Sequence, residues 1–347
     1  MQGTKERMFA LMLLLAALIG LSVALLVSGN AMRIGAALDL LDLPDSDRKL
    51  HAAATPLVGG MAVAAAALAG ALLSFWKSGD SHFLGLVAAV AVMFGIGVVD
   101  DRQHLKPFTR LLASVSLLLV VIAIAPGFRA VTLRFSGMDA TLQLGLVGGL
   151  LFTLLSLVGL LNAVNMADGK NGIVAGMALV WTSVLAAHAP VQVLPVLVAT
   201  GAALLVIGGF NMAGKLFLGD GGSYALSALF GLLAIYVYNL PNYAMTADEV
   251  ALLFAIPVFD TIRLMAARTA SGRSPFTGGR DHLHHYIYGR VGWPQGLLVY
   301  LSLVALPNVG ALVWPGSGVV WLIVSLAAYM AVLLTMRTAV TEGVPAE

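Results

Sequence analysis

Eleven apolar stretches of this chain are candidates to cross a bilayer, and nothing constrains its fold more. They lie near 8–28, 57–75, 82–99, 109–126, 142–164, 172–188, 191–210, 222–238, 249–269, 296–313 and 317–335, bounded by Gly, Pro and charged breaks. A crossing helix takes about 20 mainly apolar residues. The connection at Ala189 and Pro190 is so short that the sixth and seventh runs must form a tight helical hairpin. Composition agrees: 60% of the residues are hydrophobic and 10% charged, where soluble domains carry roughly 25% charge. So few charges cannot cover a surface that faces water on all sides. The expected fold is an all-α polytopic membrane protein, one integral-membrane domain over residues 1–347. The expected number of transmembrane helices is about eleven, with ten the alternative.

Residues 8–28 are too long for a signal peptide and lack its small-residue cleavage site, so they read as the first span. The chain has no cysteine, which excludes disulfides, thiolate metal sites and iron–sulfur clusters. Any metal must rely on oxygen or histidine ligands. A net charge of +2 argues against nucleic acid as a partner.

Loops on the cytoplasmic side are enriched in Lys and Arg. Alternate loops divide the 19 such residues fourteen to five. The richer side is expected to be cytoplasmic, placing the N-terminus outside and the C-terminus inside, although Lys5 and Arg7 oppose this. The same side collects His51, His104, His282, His284 and His285, together with Asp100, Asp101, Asp168, Asp220 and Asp281. The chemistry is expected there. The opposite loops are short or bland apart from 127–141, where a small hairpin is expected.

Four polar constellations lie on that side. In 97-GVVDDRQHLKPFTRLL-112 the adjacent acids Asp100 and Asp101 repel unless a cation or metal offsets them; a solvated acid pair at the interface is the plain alternative. In 161-LNAVNMADGKNGI-173, Asn162, Asn165 and Asp168 step by three and form one slowly spiralling stripe on a helix. Gly169 and Gly172 then break the helix and free backbone amides. Amide groups suit phosphate or sugar oxygens, and Asp168 suits a cation or a proton. Capping alone needs one such residue rather than a stripe.

The stretch 209-GFNMAGKLFLGDGGSYAL-226 sets Asp220 among glycines at a helix N-terminus, where open N–H groups receive polar ligands. A simple cap is the alternative, and the spacing excludes a Walker loop. The longest insertion, 271–294, contains RDHLHH and several arginines, natural phosphate partners. His282 and His285 lie one turn apart, but no clear third ligand completes a zinc site. Attraction of this basic loop to anionic lipid is its plain reading. A fifth, weaker stretch, 42-DLPDSDRKLHAAATPLVGG-60, carries Arg48, Lys49 and His51. Asp260 lies inside a span, where an acid needs a partner; Arg263 is the obvious one, as a structural pair.

Acids and cations on one membrane face suggest a phosphorylated substrate with a divalent ion between negative groups. Mg²⁺ fits, being held typically by one or two carboxylates plus substrate phosphates. Phosphoryl transfer asks the protein mostly for positioning and charge neutralisation, and a site at the bilayer boundary admits a lipid substrate. The residues alone thus read as a membrane phosphotransferase.

In this order, from Asp42 to the Trp293 region, the motifs resemble the polyprenyl-phosphate N-acetylhexosamine-1-phosphate transferases. DRKLHAAATPLVGG is similar to that family's entry motif, and VVDDRQHLKPFTRLL to its Asp-Asp motif with a following basic residue. NAVNMADGKNGI and NMAGKLFLGDGGS resemble its second and third signatures, and DHLHH its histidine motif. The form RDHLHH resembles the WecA-like branch, which uses UDP-GlcNAc and initiates surface polysaccharides such as lipopolysaccharide O-antigen. The resemblance implies transfer of GlcNAc-1-phosphate from UDP-GlcNAc to undecaprenyl phosphate, with release of UMP, in a bacterial inner membrane. It implies Mg²⁺, with Mn²⁺ as the substitute, and allows a homodimer. It implies Asp220 and Asn171 as metal ligands and Asp100, Asp101 and Asp168 as catalytic residues. Substrate contacts would come from Arg48, His51, Arg110, Asn162, Asn165, Lys170, Asn211, Arg280, His282, His284 and His285.

One departure matters. The family's second signature usually ends Asp-Gly-x-Asp-Gly, whereas this chain reads 168-DGKNG-172. Asn171 offers a carbonyl oxygen without charge, and Lys170 adds a cation, so weaker metal binding and firmer phosphate holding are expected. A lipid phosphate is mostly ionised near pH 7, its second pKa being about 6. Direct attack is therefore favoured over a phospho-aspartate on Asp100 or Asp101. Another UDP-HexNAc or phospho-MurNAc-pentapeptide would use the same chemistry. The rival from another class is a secondary transporter, built on broken helices and internal repeats; no repeat is visible here. A non-catalytic lipid-binding scaffold would not need four acid-bearing or basic loops.

Overall fold

The computed structural model of the chain describes residues 2–43, 54–241, 245–274, 279 and 281–343, with side chains described over 6–337 of these. The apolar runs fold as helices: α1 (Gln2–Gly29), α2 (Ala31–Leu38), α3 (Gly59–Ser78), α4 (His82–Gln103), α5 (Pro107–Ile124), α6 (Gly145–Ala167) and α7 (Ile173–His188). Then follow α8 (Leu194–Met212), α9 (Gly219–Tyr238), α10 (Ala247–Leu253), α11 (Ala255–Ala270), α12 (Leu283–Val291), α13 (Gln295–Val313) and α14 (Gly318–Gly343). Local chemistry sets several ends. Pro107 opens α5 with its φ already helical, and Gly79 closes α3 in the left-handed region at φ 69°.

Among the described residues, nine helices are long and apolar enough to cross a membrane. The run expected as one span at 249–269 is instead α10 and α11, bent by 76° at Phe254. The run at 172–188 is the 16-residue α7, packed against α8 as the expected hairpin. This is an all-α polytopic membrane protein. Its only strands among the described residues are two short antiparallel pairs, β1 (Leu41–Asp42) with β2 (Thr55–Pro56), and β3 (Thr132–Arg134) with β4 (Thr141–Gln143). The second pair is the hairpin expected near 127–141.

The bundle is organised around α9, which is buried along its membrane-crossing length and packs against α3, α4, α6, α7 and α10. Small residues let its first turn sit close to its neighbours. A methyl group on Gly60 of α3 or Gly97 of α4 would collide with the backbone at residues 220–222. Further along, Trp181 of α7 meets Phe230 and Phe254 edge-on, with ring centres 5.5 and 5.1 Å apart. The outer helices leave leucines such as Leu14, Leu155, Leu298 and Leu334 exposed, as a lipid-facing ring does.

An apolar cavity of about 290 Å³ lies between α6, α9, the bent pair and α14, lined by Phe152, Leu157, Gly231, Phe254, Val258 and Leu322 among others. At one end of the bundle, the C-termini of α4 and α6 meet the N-termini of α5, α9 and α12. That end holds the acids and histidines.

Candidate active site

Asp100 and Asp101 are adjacent on α4 but point into different surroundings. Asp100 is buried, and its Oδ1 accepts the Leu105 N–H at 2.9 Å. Its Oδ2 accepts Arg110 Nη1 at 3.0 Å and the Tyr224 hydroxyl at 3.1 Å. The expected offsetting cation is thus Arg110. Asp101 accepts the backbone N–H groups of Asp220 and Gly221, at 2.9 and 3.0 Å. It caps α9 from a neighbouring helix, satisfying two of the donors that every helix N-terminus leaves open.

That cap places Asp220 in the first turn of α9, where the positive end of the helix favours an anion. Asn165 donates through Nδ2 to Asp220 Oδ1 at 2.6 Å and to Ser223 Oγ at 3.2 Å. Asp168 follows α6 directly. Burial, and then the neighbouring Asp101 carboxylate, push the Asp168 carboxyl up to about 7. Asp101 is an electrostatic neighbour of both Asp168 and Asp220. All four aspartates therefore form one cluster at one end of the bundle, rather than being divided between the two ends.

Beside them lies a polar cleft of about 280 Å³. Its walls include Arg110, Asn162, Asn165, Asp168, His282, His284 and His285, so seven of the sequence-expected residues share one space. Gly169 belongs to the wall as well, and a methyl group there would strike the His284 ring. His284 is buried, with no hydrogen-bond partner at Nε2. Burial, followed by the nearby His285, His282 and Lys170, holds its imidazole well below the usual range. Burial thus disfavours a charged ring in the cleft wall.

Other expected residues are placed elsewhere. Lys170 puts its ammonium 3.6 Å from the centre of the Tyr288 ring on α12 and is not among the cleft-lining residues. Asn171 is anchored by its backbone carbonyl, which accepts Trp293 Nε1–H at 3.0 Å. Asn211 is buried and ties two loops: Oδ1 accepts the Gly172 N–H at 2.6 Å, and Nδ2 donates to the Leu216 carbonyl at 3.0 Å. Arg48, His51 and Arg280 lie outside the described residues.

Sequence reasoning missed three participants. Arg268, from the last turn of α11, lines the cleft and pairs with Asp281 at 2.7 Å. Burial works against the Asp281 charge, and this hydrogen bond overcomes it, keeping the carboxyl below its ordinary value. Tyr224 carries a hydroxyl to Asp100, and its place directly after GDGGS was the available signal. Asp260 contacts the histidine motif as well as Arg263.

Among the described residues, no group of three or more His, Asp or Glu side chains meets in metal-holding geometry. Among the described residues, then, no closed zinc site is built. The donor set does suit Mg²⁺. Asp220 and Asp168 flank Asp101, and Arg110 is already engaged by Asp100. That leaves a surplus of carboxylate charge of the kind one hard cation with its waters offsets.

Residues 83–238 match the glycosyl transferase family 4. The decaprenyl-phosphate N-acetylglucosaminephosphotransferase of Mycolicibacterium smegmatis is 25% identical, over 86% of this chain and 81% of its own length. The undecaprenyl-phosphate alpha-N-acetylglucosaminyl 1-phosphate transferase of Yersinia pestis is 28% identical, over 81% and 79%. Its Escherichia coli K12 counterpart is 26% identical, over 81% and 78%. The family match spans Asp100, Asp101, Arg110, Asn165, Asp168 and Asp220, the acid end of the bundle together with its partners. The resemblance drawn from the motifs and this match agree: over residues 83–238 the chain is similar to glycosyl transferase family 4.

Proposed function

We propose that this protein transfers N-acetylglucosamine-1-phosphate from UDP-GlcNAc to undecaprenyl phosphate, releasing UMP at the cytoplasmic face of a bacterial inner membrane. The product would start a lipid-linked surface polysaccharide such as O-antigen. The observation that carries this reading is the cleft that brings Asp168, a member of the acid cluster, together with Arg110, Arg268 and three histidines. Acids alone would suggest ion passage. Acids beside arginines and amides suit a nucleotide diphosphate.

Arg110, Arg268 and the histidines would hold the diphosphate and sugar, while Asn162 and Asn165 offer amide groups along one wall. Asp220 and Asp168 would hold Mg²⁺, with Asn171 contributing only through its side-chain carbonyl. Bound there, the ion supplies charge neutralisation for the diphosphate oxygens. A lipid phosphate oxygen attacks the β-phosphorus, the bond to the bridging oxygen breaks, and UMP departs. Direct attack is favoured because all four carboxylate oxygens of Asp100 and Asp101 already accept hydrogen bonds. An acid so engaged is a poor nucleophile. The apolar cavity beside α6 and α11 offers room for isoprenoid units of the acceptor.

The test is UMP release by the purified chain, measured over a panel of UDP-sugars. Release from UDP-GlcNAc that requires both undecaprenyl phosphate and Mg²⁺ is expected. Preference for another UDP-sugar would change the donor, and no release with any pair would remove the transferase reading.

A further inference from the structure

We propose that Asp260 is a positioning residue for His282, holding its Nδ1–H and turning Nε2 into the cleft, where it accepts from a hydroxyl of the nucleotide sugar. This rests on the transferase reading above. Asp260 is only 5% exposed, within α11. A structural pair with Arg263 would be complete with one carboxylate oxygen. Oδ1 indeed accepts Arg263 Nη2 at 2.7 Å, and also the Tyr329 hydroxyl at 2.9 Å. Oδ2 goes elsewhere: it lies 3.0 Å from His282 Nδ1.

An ionised carboxylate only accepts, so Nδ1 carries the hydrogen and Nε2 is the nitrogen left for a ligand. His282 lines the cleft together with Arg110, Asn165 and Asp168. The same carboxylate also receives the Leu283 N–H, at 3.2 and 3.3 Å from its two oxygens. That group opens α12, so one acid fixes both the ring and the start of the helix bearing His284 and His285. Arg263 completes the hold by donating to the Asp281 carbonyl at 2.6 Å. A carboxylate on the far nitrogen is the general device for fixing the tautomer and direction of a functional imidazole.

The test uses the full chain in lipid nanodiscs, with UDP-GlcNAc, undecaprenyl phosphate and Mg²⁺, reading UMP release. Asp260→Leu strands Arg263 without its charge partner, so the paired variant Asp260→Leu/Arg263→Met is measured beside it; replacing a buried pair whole is often tolerated. The paired variant is expected to fold with a lowered Tm, because the Leu283 N–H and the Tyr329 hydroxyl lose their acceptor, while kcat falls about 10- to 100-fold, with KM for UDP-GlcNAc little changed. Adding His282→Gln should cost little more, because both changes remove one function. A nitrogen-15 spectrum of the labelled histidines should show the His282 resonance, identified by its loss in His282→Gln, leaving the Nδ1–H form.

Unchanged kcat in a folded paired variant, multiplying losses with His282→Gln, or an unmoved His282 resonance would each overturn the proposal. If the unmodified protein releases no UMP yet the resonance moves, the transferase reading fails while the hold on His282 stands.

Discussion

Asp101 and Asp220 lie against each other and carry the same charge, but their loss should look different. Asp101 accepts two backbone N–H groups at the start of α9. Asp101→Ala is expected to cost about 1–2 kcal/mol of stability, the range for losing a helix cap, read as a lower Tm. Asp220 accepts no backbone N–H through its side chain among the described contacts; its Oδ1 accepts from the Asn165 amide. Asp220→Asn is expected to leave Tm nearly unmoved while abolishing UMP release. Equal Tm losses would merge the two roles. At this scale the stripe of Asn162, Asn165 and Asp168 was legible, because helical period alone puts them on one face. The partners of Lys170 and Asn211 were not. Spacing cannot tell whether an ammonium meets phosphate or the Tyr288 ring, since that depends on where α12 docks.

The elements themselves were mostly legible from apolar length, including the α7–α8 hairpin and the β3–β4 pair. The break between α10 and α11 was passed over, although its signal was present. Pro257 has no N–H to give the carbonyl of Leu253, which is where α10 ends. Between elements, Asn211 is the tie from the α6–α7 loop to the segment entering α9. Asn211→Ala leaves a buried N–H and a buried carbonyl unpaired, for about 1–3 kcal/mol each if no water enters. The expected result is a lower Tm together with a raised KM for the UDP-sugar. A loss of Tm with KM unchanged would show that this tie does not shape the cleft.

For the whole molecule, the charge count predicts that the acid end faces the cytoplasm. The chain has no cysteine, so single cysteines report on sidedness without interference. In intact cells, a membrane-impermeant maleimide is expected to label Lys77→Cys and to spare Lys106→Cys until the membrane is opened. The reverse pattern would invert the molecule. What the sequence could not show at this scale is which span is central, because hydropathy ranks a helix by its fitness for lipid and not by its neighbours.

The central span is the least hydropathic of the nine, yet it is fully enclosed. Leaving the translocation machinery, α9 would be a poor guest for lipid alone, bearing Asp220, two serines and three tyrosines. The helices that later surround it most closely, α3, α4, α6 and α7, are all synthesised before it. Ribosomal order thus provides a protein-lined berth for the helix that carries the reactive acid, and a variant with those helices encoded after α9 should insert it inefficiently.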